Sequence, residues 1–211
     1  MRSGYRGSVR ERLRDCRRLP DGRFAVHPNS LSYPRDKLAA LRLAELESAV
    51  GILSGGKGKT VALGVPDQGV TMDSLVERRV IEVLYELIRS HDIGTVWTTW
   101  QHDAHIDHQH AAAIALGLCA TNGRLRLWQF PIWSRFTGEA IGYDERLCTF
   151  ESARYRALKR RAIAAHRSQM TTLIDDDPEG FTLDPAKQEH FLTFPEIFIT
   201  RSRNERQTPH I

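Results

Sequence analysis

Residues 94–119 read GTVWTTWQHDAHIDHQHAAAIALGLC and place a strand pattern, a histidine cluster and a helix pattern in direct succession. Residues 94–100 are mostly β-branched and aromatic, which is typical of a strand. Residues 111–119 are small and aliphatic, which indicates a helix beside that strand. A strand followed by a helix is the unit from which α/β sheets are built. The polar segment between them therefore lies at the carboxyl edge of the predicted sheet, where α/β proteins hold ligands.

Helix and strand patterns alternate along the chain from Pro34 onward. The helix patterns cover residues 34–54, 74–90, 111–119 and 151–170, and the strand patterns cover residues 60–65, 94–100, 124–130 and 197–200. This alternation predicts an α/β fold with three layers, α/β/α, around a mostly parallel sheet. We expect residues 24–200 to form one domain, because chains of about 100–200 residues usually hold a single core.

The composition is that of a globular protein. Hydrophobic residues make up 41% of the 211 residues and charged residues 27%. No run of residues approaches the roughly 18 consecutive apolar residues of a membrane span, and the N-terminus lacks the apolar stretch of a secretory signal. We therefore expect a cytoplasmic location without a membrane span. Cys16, Cys119 and Cys148 show no Cys-x-x-Cys spacing, which argues against a disulfide framework and against a thiolate zinc site.

The positive charge is concentrated at one end of the chain. Residues 1–23 hold eight arginines against three acidic residues, and the net charge of the whole chain is +4. We interpret this segment as a solvated, poorly ordered leader, and residues 201–211 as a frayed tail. A basic arm can bind nucleic acid through its phosphates. This arm lacks an array of aromatic side chains for stacking bases, so nucleic-acid binding ranks last among our hypotheses.

Histidines are concentrated directly after the strand pattern at residues 94–100. Four of the nine histidines in the chain fall within residues 102–110. Neutral imidazole is a favoured zinc ligand, and two histidines three positions apart, such as His105 and His108, lie on one face of a helix start. Asp107 lies between them and can orient a ring. The alternative is a solvent-exposed helix N-terminus, where the macrodipole favours an aspartate.

A catalytic zinc normally has three protein ligands, which this cluster does not supply by itself. The candidates for the remaining ligands are His27, Asp67 and Asp103, and none of them stands in a diagnostic metal-binding pattern. Zinc is therefore the expected cofactor, at a site that this chain leaves incomplete.

Several short segments occur in the same order as in a known family. They are His27-Pro-Asn-Ser30, Tyr33-Pro34, Arg42-x-x-Glu45, Leu63-Gly-Val-Pro-Asp67, Trp97-Thr-Thr-Trp100, His105-Ile-Asp-His108, Lys159-x-x-Ala162, Ser168-Gln169 and Pro195-Glu-Ile-Phe198. In this order they resemble the PIG-L/LmbE-like family of zinc-dependent deacetylases, which remove acetyl groups from N-acetylglucosamine-type amino sugars. The resemblance implies a Rossmann-like sheet, a hydrolase of the acetamide C–N bond, and a small-molecule or glycan substrate bearing an N-acetylated amino sugar.

The resemblance also implies roles for individual residues. His108 would be a zinc ligand, and His105 would polarise the substrate carbonyl or protonate the leaving amine. Asp107 would hold His105. Arg42 and Asp67 would contact sugar hydroxyls. For Arg42 the alternative is a surface helix residue paired with Glu45, and for Asp67 it is an ordinary turn residue.

One part of the family pattern is missing. The family opens with Ala-His-Pro-Asp-Asp-Glu, and the nearest string here is Ala25-Val-His-Pro-Asn-Ser30. Only thirteen residues lie between its His-Pro and Arg42. A helix of about 11 residues and a strand of about 5 do not fit into that interval. We therefore match this string to the family's second loop, and expect the first strand to be missing or replaced.

Two explanations remain open. Either the chain is an N-terminally truncated or misread version of a deacetylase, or it has lost metal and chemistry. The leading hypothesis is thus an enzyme, and the second is a non-catalytic α/β sugar-binding protein. A missing central strand leaves its neighbours without hydrogen-bond partners. We therefore expect a marginal monomer that a partner strand could rescue, as in a homo-oligomer.

Overall fold

The computed structural model describes residues 29–65, 74–138 and 140–201. These residues form two compact units. A helical unit contains the described residues up to Glu86 together with Glu151–Pro195, and a sheet unit contains Leu87–Phe150 together with the described residues from Glu196 onward. The predicted leader, residues 1–23, lies outside the described residues, as do residues 202–211 of the predicted tail.

The helical unit is built mainly around one long helix. Helix α1 (Arg35–Ser54) begins after Pro34 and ends at Gly55, whose φ of 61° is a left-handed conformation that glycine adopts without strain. The unit also contains α2 (Leu75–Ser90) as far as Glu86. Its other helical segments are a 3-10 turn (Ala153–Tyr155), α5 (Arg156–Ala165), α6 (Arg167–Met170) and α7 (Pro185–Thr193). α5 packs against α1 and α7, and α6 also contacts α1.

A buried carboxylate joins α1 to the start of α6. Glu45 is only 6% exposed, and its two oxygens accept hydrogen bonds from the backbone N–H of Ser168 at 2.8 Å and from the Ser168 hydroxyl at 2.6 Å. Ser168 is itself fully buried. A buried carboxylate needs such donors to offset its lost hydration. Glu45 and Ser168, which both belong to the segments that carry the family resemblance, thus contribute to the packing of this unit.

A second carboxylate fastens the segment that leads into α1. The Ser30 hydroxyl donates to Asp176 at 2.6 Å, and the backbone N–H groups of Leu31 and Ser32 donate to the same carboxylate at 2.9 and 2.8 Å. The backbone N–H of Asn29 donates to Asp177 at 3.0 Å. These bonds span about 145 residues of sequence, so they fix the entry to α1 by tertiary contacts.

The described residues of the sheet unit form four strands in the order β1-β2-β4-β3. They are β1 (Thr95–Thr99), β2 (Arg126–Phe130), β3 (Glu145–Phe150) and β4 (Glu196–Arg201). The unit also contains α3 (Ile106–Thr121), which packs on β1 and β2, and the single turn α4 (Ser134–Thr137). Ala112 and Ala115 on α3 are buried, and such small side chains let the helix lie close to the sheet. The predicted α/β class is confirmed.

Among the described residues, only β1 and β2 pair in parallel, whereas β4 is antiparallel to both β2 and β3. This differs from the mostly parallel sheet that the sequence predicts. The physical reason lies in β3, which is exposed at every position except Glu145. Parallel strands are normally covered on both faces, while an antiparallel edge strand can face water.

The segment at residues 60–65, predicted as a strand, forms none in the structure. A strand exists through pairing with a neighbour, and in the described part of the chain β1 pairs only with β2. The apolar pattern alone is therefore insufficient here. Among the described residues, no helix has both the length and the apolar character required for crossing a bilayer.

We predict that Glu45→Ala destabilises the protein by about 1–3 kcal/mol, because the buried N–H and O–H of Ser168 lose their acceptor. Urea unfolding followed by circular dichroism measures the change. The control is Glu47→Ala, which removes an exposed carboxylate from the same helix. Equal stability of the two variants would show that the Glu45–Ser168 contact contributes nothing.

The Asp176 loop predicts a dependence of stability on acid. The Ser30 hydroxyl, followed by the backbone N–H of Ser32, lowers the pKa of Asp176 from its usual 3.8 to about 2. Because the folded-state pKa is lower than the unfolded one, this contribution is present above pH 4 and is lost as the pH falls toward 2. We expect the difference in melting temperature between wild type and Asp176→Asn to shrink over that range. A difference that stays constant down to pH 2 would contradict the assignment.

Candidate functional site

His105 and His108 lie side by side where β1 gives way to α3. Their ring centroids are 5.0 Å apart and the ring planes are tilted by 39°. Both residues are half-buried, at the first turn of α3. The spacing of three residues thus brings together the two imidazoles that the sequence singles out.

His105 is the N-cap of α3, and its Nδ1 atom accepts a hydrogen bond from the backbone N–H of Asp107 at 3.2 Å. A nitrogen that accepts a hydrogen bond carries no proton, so the neutral ring of His105 has its proton on Nε2. Asp107, expected to hold His105, contacts it through its main chain. Its catalytic role stays a prediction.

His108 is held by a different group. Its Nδ1 atom lies 2.9 Å from a carboxylate oxygen of Asp103, which is completely buried. The other oxygen of Asp103 accepts backbone N–H groups at the start of α4, from Ile132 at 2.7 Å, Trp133 at 3.0 Å and Ser134 at 3.4 Å. Asp103 therefore joins the loop after β1 to the loop after β2.

Asp103 remains charged in this buried position. Burial by itself would raise the pKa of Asp103, but the hydrogen bonds from the Ile132 backbone, from His108 and from the Ser134 backbone outweigh it. The net effect is a pKa below the ordinary aspartate value. A carboxylate that accepts several N–H bonds is stabilised in its charged form.

A second buried carboxylate holds the beginning of the same loop. Glu145, at the start of β3, accepts hydrogen bonds from Trp100 Nε1 at 3.1 Å, Gln101 Nε2 at 2.8 Å and the Gly142 N–H at 2.8 Å. Burial opposes the charge of Glu145, yet these hydrogen bonds lower its pKa below the usual glutamate value. The loop that carries the histidines is thus fixed near both of its ends.

These two carboxylates differ in how far the sequence reveals them. The sequence offers Asp103 as one candidate zinc ligand, whereas in the structure its carboxylate is hydrogen-bonded to His108 and to backbone N–H groups. Glu145 has no signal in the sequence, because its partners lie 44 and 45 residues away. Of the two other histidines in this cluster, His102 is exposed, whereas the Nδ1 atom of His110 is buried.

The described residues do not by themselves complete a metal centre. In the ranges that the structure covers, no three His, Cys, Asp or Glu side chains are placed to hold a metal ion. Of the predicted ligands, His108 has its Nδ1 atom on Asp103, and both oxygens of Asp103 are engaged as described. His27 and Asp67 lie outside the described residues, so the roles suggested for them stay predictions.

Arg42 lies in the helical unit, on the half-buried side of α1. His166, between α5 and α6, is close enough to Arg42 for the guanidinium charge to affect its pKa. Burial lowers the pKa of His166, Glu45 raises it, and Arg42 lowers it further. The oxygens of Glu45 bind Ser168, as described above. The role of Arg42 in substrate binding stays a prediction.

Three aromatic side chains lie on neighbouring strands of the sheet unit. Trp97 on β1 stacks on Trp128 of β2 at 5.6 Å between centroids, and Phe198 of β4 meets Trp97 edge-on at 4.7 Å. Trp97 is 52% exposed, whereas Trp100 is 1% exposed. Trp100 is thus a core residue, whereas about half of the Trp97 surface is accessible to solvent.

Solved structures with a similar fold include two deacetylases. One is a triple mutant of a deacetylase involved in the teicoplanin biosynthetic pathway, with a TM-score of 0.58 and 16% identity over 82% of this chain and 75% of that chain. Another is the A40926 pseudoaglycone deacetylase, with a TM-score of 0.50 and 15% identity over 94% of this chain and 81% of that chain. No family model matches the sequence, and no curated protein is significantly similar to it. The chain thus shares the α/β fold of these two deacetylases.

Proposed function

We propose that this protein is a PIG-L/LmbE-like deacetylase that hydrolyses the acetamide of an N-acetylated amino sugar. The observation that carries the proposal is the pair His105 and His108, 5.0 Å apart at the carboxyl end of β1. Its support is that two solved structures of similar fold are both deacetylases by name. In α/β proteins this edge of the sheet is where ligands bind.

Hydrolysis of an acetamide requires help at two atoms. Water adds to the carbonyl carbon, the carbonyl oxygen gains negative charge, and the C–N bond then breaks to give acetate and a free amine. A fixed donor near the oxygen stabilises that charge, and the departing nitrogen needs a proton. His105 offers an Nε2–H because its Nδ1 accepts the Asp107 backbone N–H. We assign His105 to the carbonyl oxygen or the leaving amine.

The proposed substrate is a small molecule or glycan that bears the acylated amino sugar. The names of the similar structures connect one protein with the teicoplanin pathway and the other with the A40926 pseudoaglycone. Amino-sugar hydroxyls call for charged or amide side chains as hydrogen-bond partners. Arg42 and Asp67 are the residues proposed for that contact.

We also propose that the protein binds zinc, with His108 as one ligand through Nε2. Since the described residues hold no complete group of ligands, the further donors would come from residues outside the described ranges. The alternative function is a sugar-binding protein without catalysis, and it is suggested by the lack of the string Ala-His-Pro-Asp-Asp-Glu in the sequence. Turnover and zinc binding separate the two hypotheses.

We expect His105→Ala and His108→Ala each to lower acetate release from an N-acetylglucosamine-bearing substrate by roughly 10²–10⁴-fold, the range for loss of a positioned acid, base or donor. The control is His91→Ala, which removes an exposed histidine at the end of α2. Binding of the sugar without acetate release by the wild type would instead establish the non-catalytic alternative.

Zinc is expected to raise the melting temperature of the wild type, because a ligand that binds only the folded state stabilises it by about 2.7 kcal/mol at a concentration of 100 times its Kd. The rise should be lost in His108→Ala and kept in His91→Ala. A melting temperature that zinc leaves unchanged would contradict the proposed metal site.

A further inference from the structure

We infer that Asp103 is a positioning residue that holds His108 in the tautomer with its proton on Nδ1 and its lone pair on Nε2. The inference concerns the resting protein and needs no bound metal. The hydrogen-bond partners of the two oxygens of Asp103 determine this tautomer.

One oxygen of Asp103 faces only N–H donors of the main chain. Ile132, Trp133 and Ser134 donate to it at 2.7, 3.0 and 3.4 Å. These donors are main-chain N–H groups just before and at the start of α4, and a main-chain N–H can only donate. This oxygen must therefore remain an acceptor, and the orientation of the carboxylate is fixed by the fold.

The other oxygen of Asp103 faces His108 Nδ1 at 2.9 Å and the backbone N–H of His105 at 3.4 Å. An ionised carboxylate accepts hydrogen bonds and donates none. The contact with His108 therefore requires a proton on Nδ1. In the neutral ring, Nε2 is then an acceptor with a free lone pair.

His105 is held in the opposite form by the Asp107 backbone N–H at its Nδ1 atom. The two neighbouring rings thus offer different groups: His105 an Nε2–H donor, and His108 an Nε2 acceptor. One ring can bind an electron-rich atom and the other a metal ion or a donor. The consequence for zinc rests on the proposed function.

The substitution Asp103→Asn tests the inference. An asparagine side chain has only one oxygen. We expect this oxygen to accept the N–H groups of Ile132, Trp133 and Ser134, because the opposite orientation of the amide would leave all three without an acceptor. Its amide NH₂ then faces His108 Nδ1 and can only donate. We expect this to move the His108 proton from Nδ1 to Nε2.

The measurement is ¹⁵N NMR of the full-length protein labelled on histidine, in the presence of a chelator and at a pH where the rings are neutral. His105→Gln and His108→Gln assign the signals. In the wild type, His108 should show a protonated Nδ1 and a bare Nε2. In Asp103→Asn this pattern should invert, and in the control Asp92→Asn, at an exposed aspartate, it should stay as in the wild type.

The wild-type spectrum decides the question even if Asp103→Asn fails to fold. A proton on Nε2 of His108 in the wild type would overturn the inference, as would an unchanged tautomer in a folded Asp103→Asn protein. A purely structural role of Asp103 would alter stability and leave the tautomer as it is.

Zinc titration by calorimetry separates this inference from the proposed function. If the wild type binds zinc, Asp103→Asn should weaken the affinity about 10–100-fold, as found when partners of ligating histidines are replaced. If neither protein binds zinc and the tautomer inverts, the role of Asp103 is supported and the proposed zinc site is refuted.

Discussion

The buried carboxylate of Asp103 is the constraint on which the geometry of the candidate site depends. A charge removed from water must be compensated by hydrogen bonds, and Asp103 obtains them from the His105 backbone, the His108 ring and the backbone of the residues that lead into α4. Displacing any of these segments would remove some of the donors that offset this buried charge. The position of His108 is therefore fixed by the same interaction that joins the loops after β1 and β2.

Buried carboxylates have a comparable role elsewhere in the described chain. Glu145 binds the residues directly after β1, and in the helical unit Glu45 binds both polar groups of Ser168. Each connects segments that are distant in sequence. Some residues that carry the family resemblance, such as Glu45 and Ser168, are thus explained by packing, without reference to a substrate.

The sequence predicts what depends on local pattern and misses what depends on distant partners. β1 and α3 were predicted because strand, polar loop and helix follow one another in residues 94–119. β3 was missed because it exists through pairing with β4, about 50 residues further along. Residues 60–65 show the opposite error, a strand pattern that forms no strand. The partnership of Asp103 with Ile132 lies equally beyond local pattern, because 29 residues separate them.

The protein combines a fold shared with two deacetylases with a histidine pair whose two rings are held by different partners. We propose that His108 presents Nε2 to a zinc ion. Anomalous diffraction at the zinc edge from crystals grown with zinc tests this most directly. We expect a zinc peak about 2.0–2.1 Å from His108 Nε2, with Asp103 still on Nδ1. A zinc ion bound to the Asp103 carboxylate, or no zinc near either histidine, would contradict it.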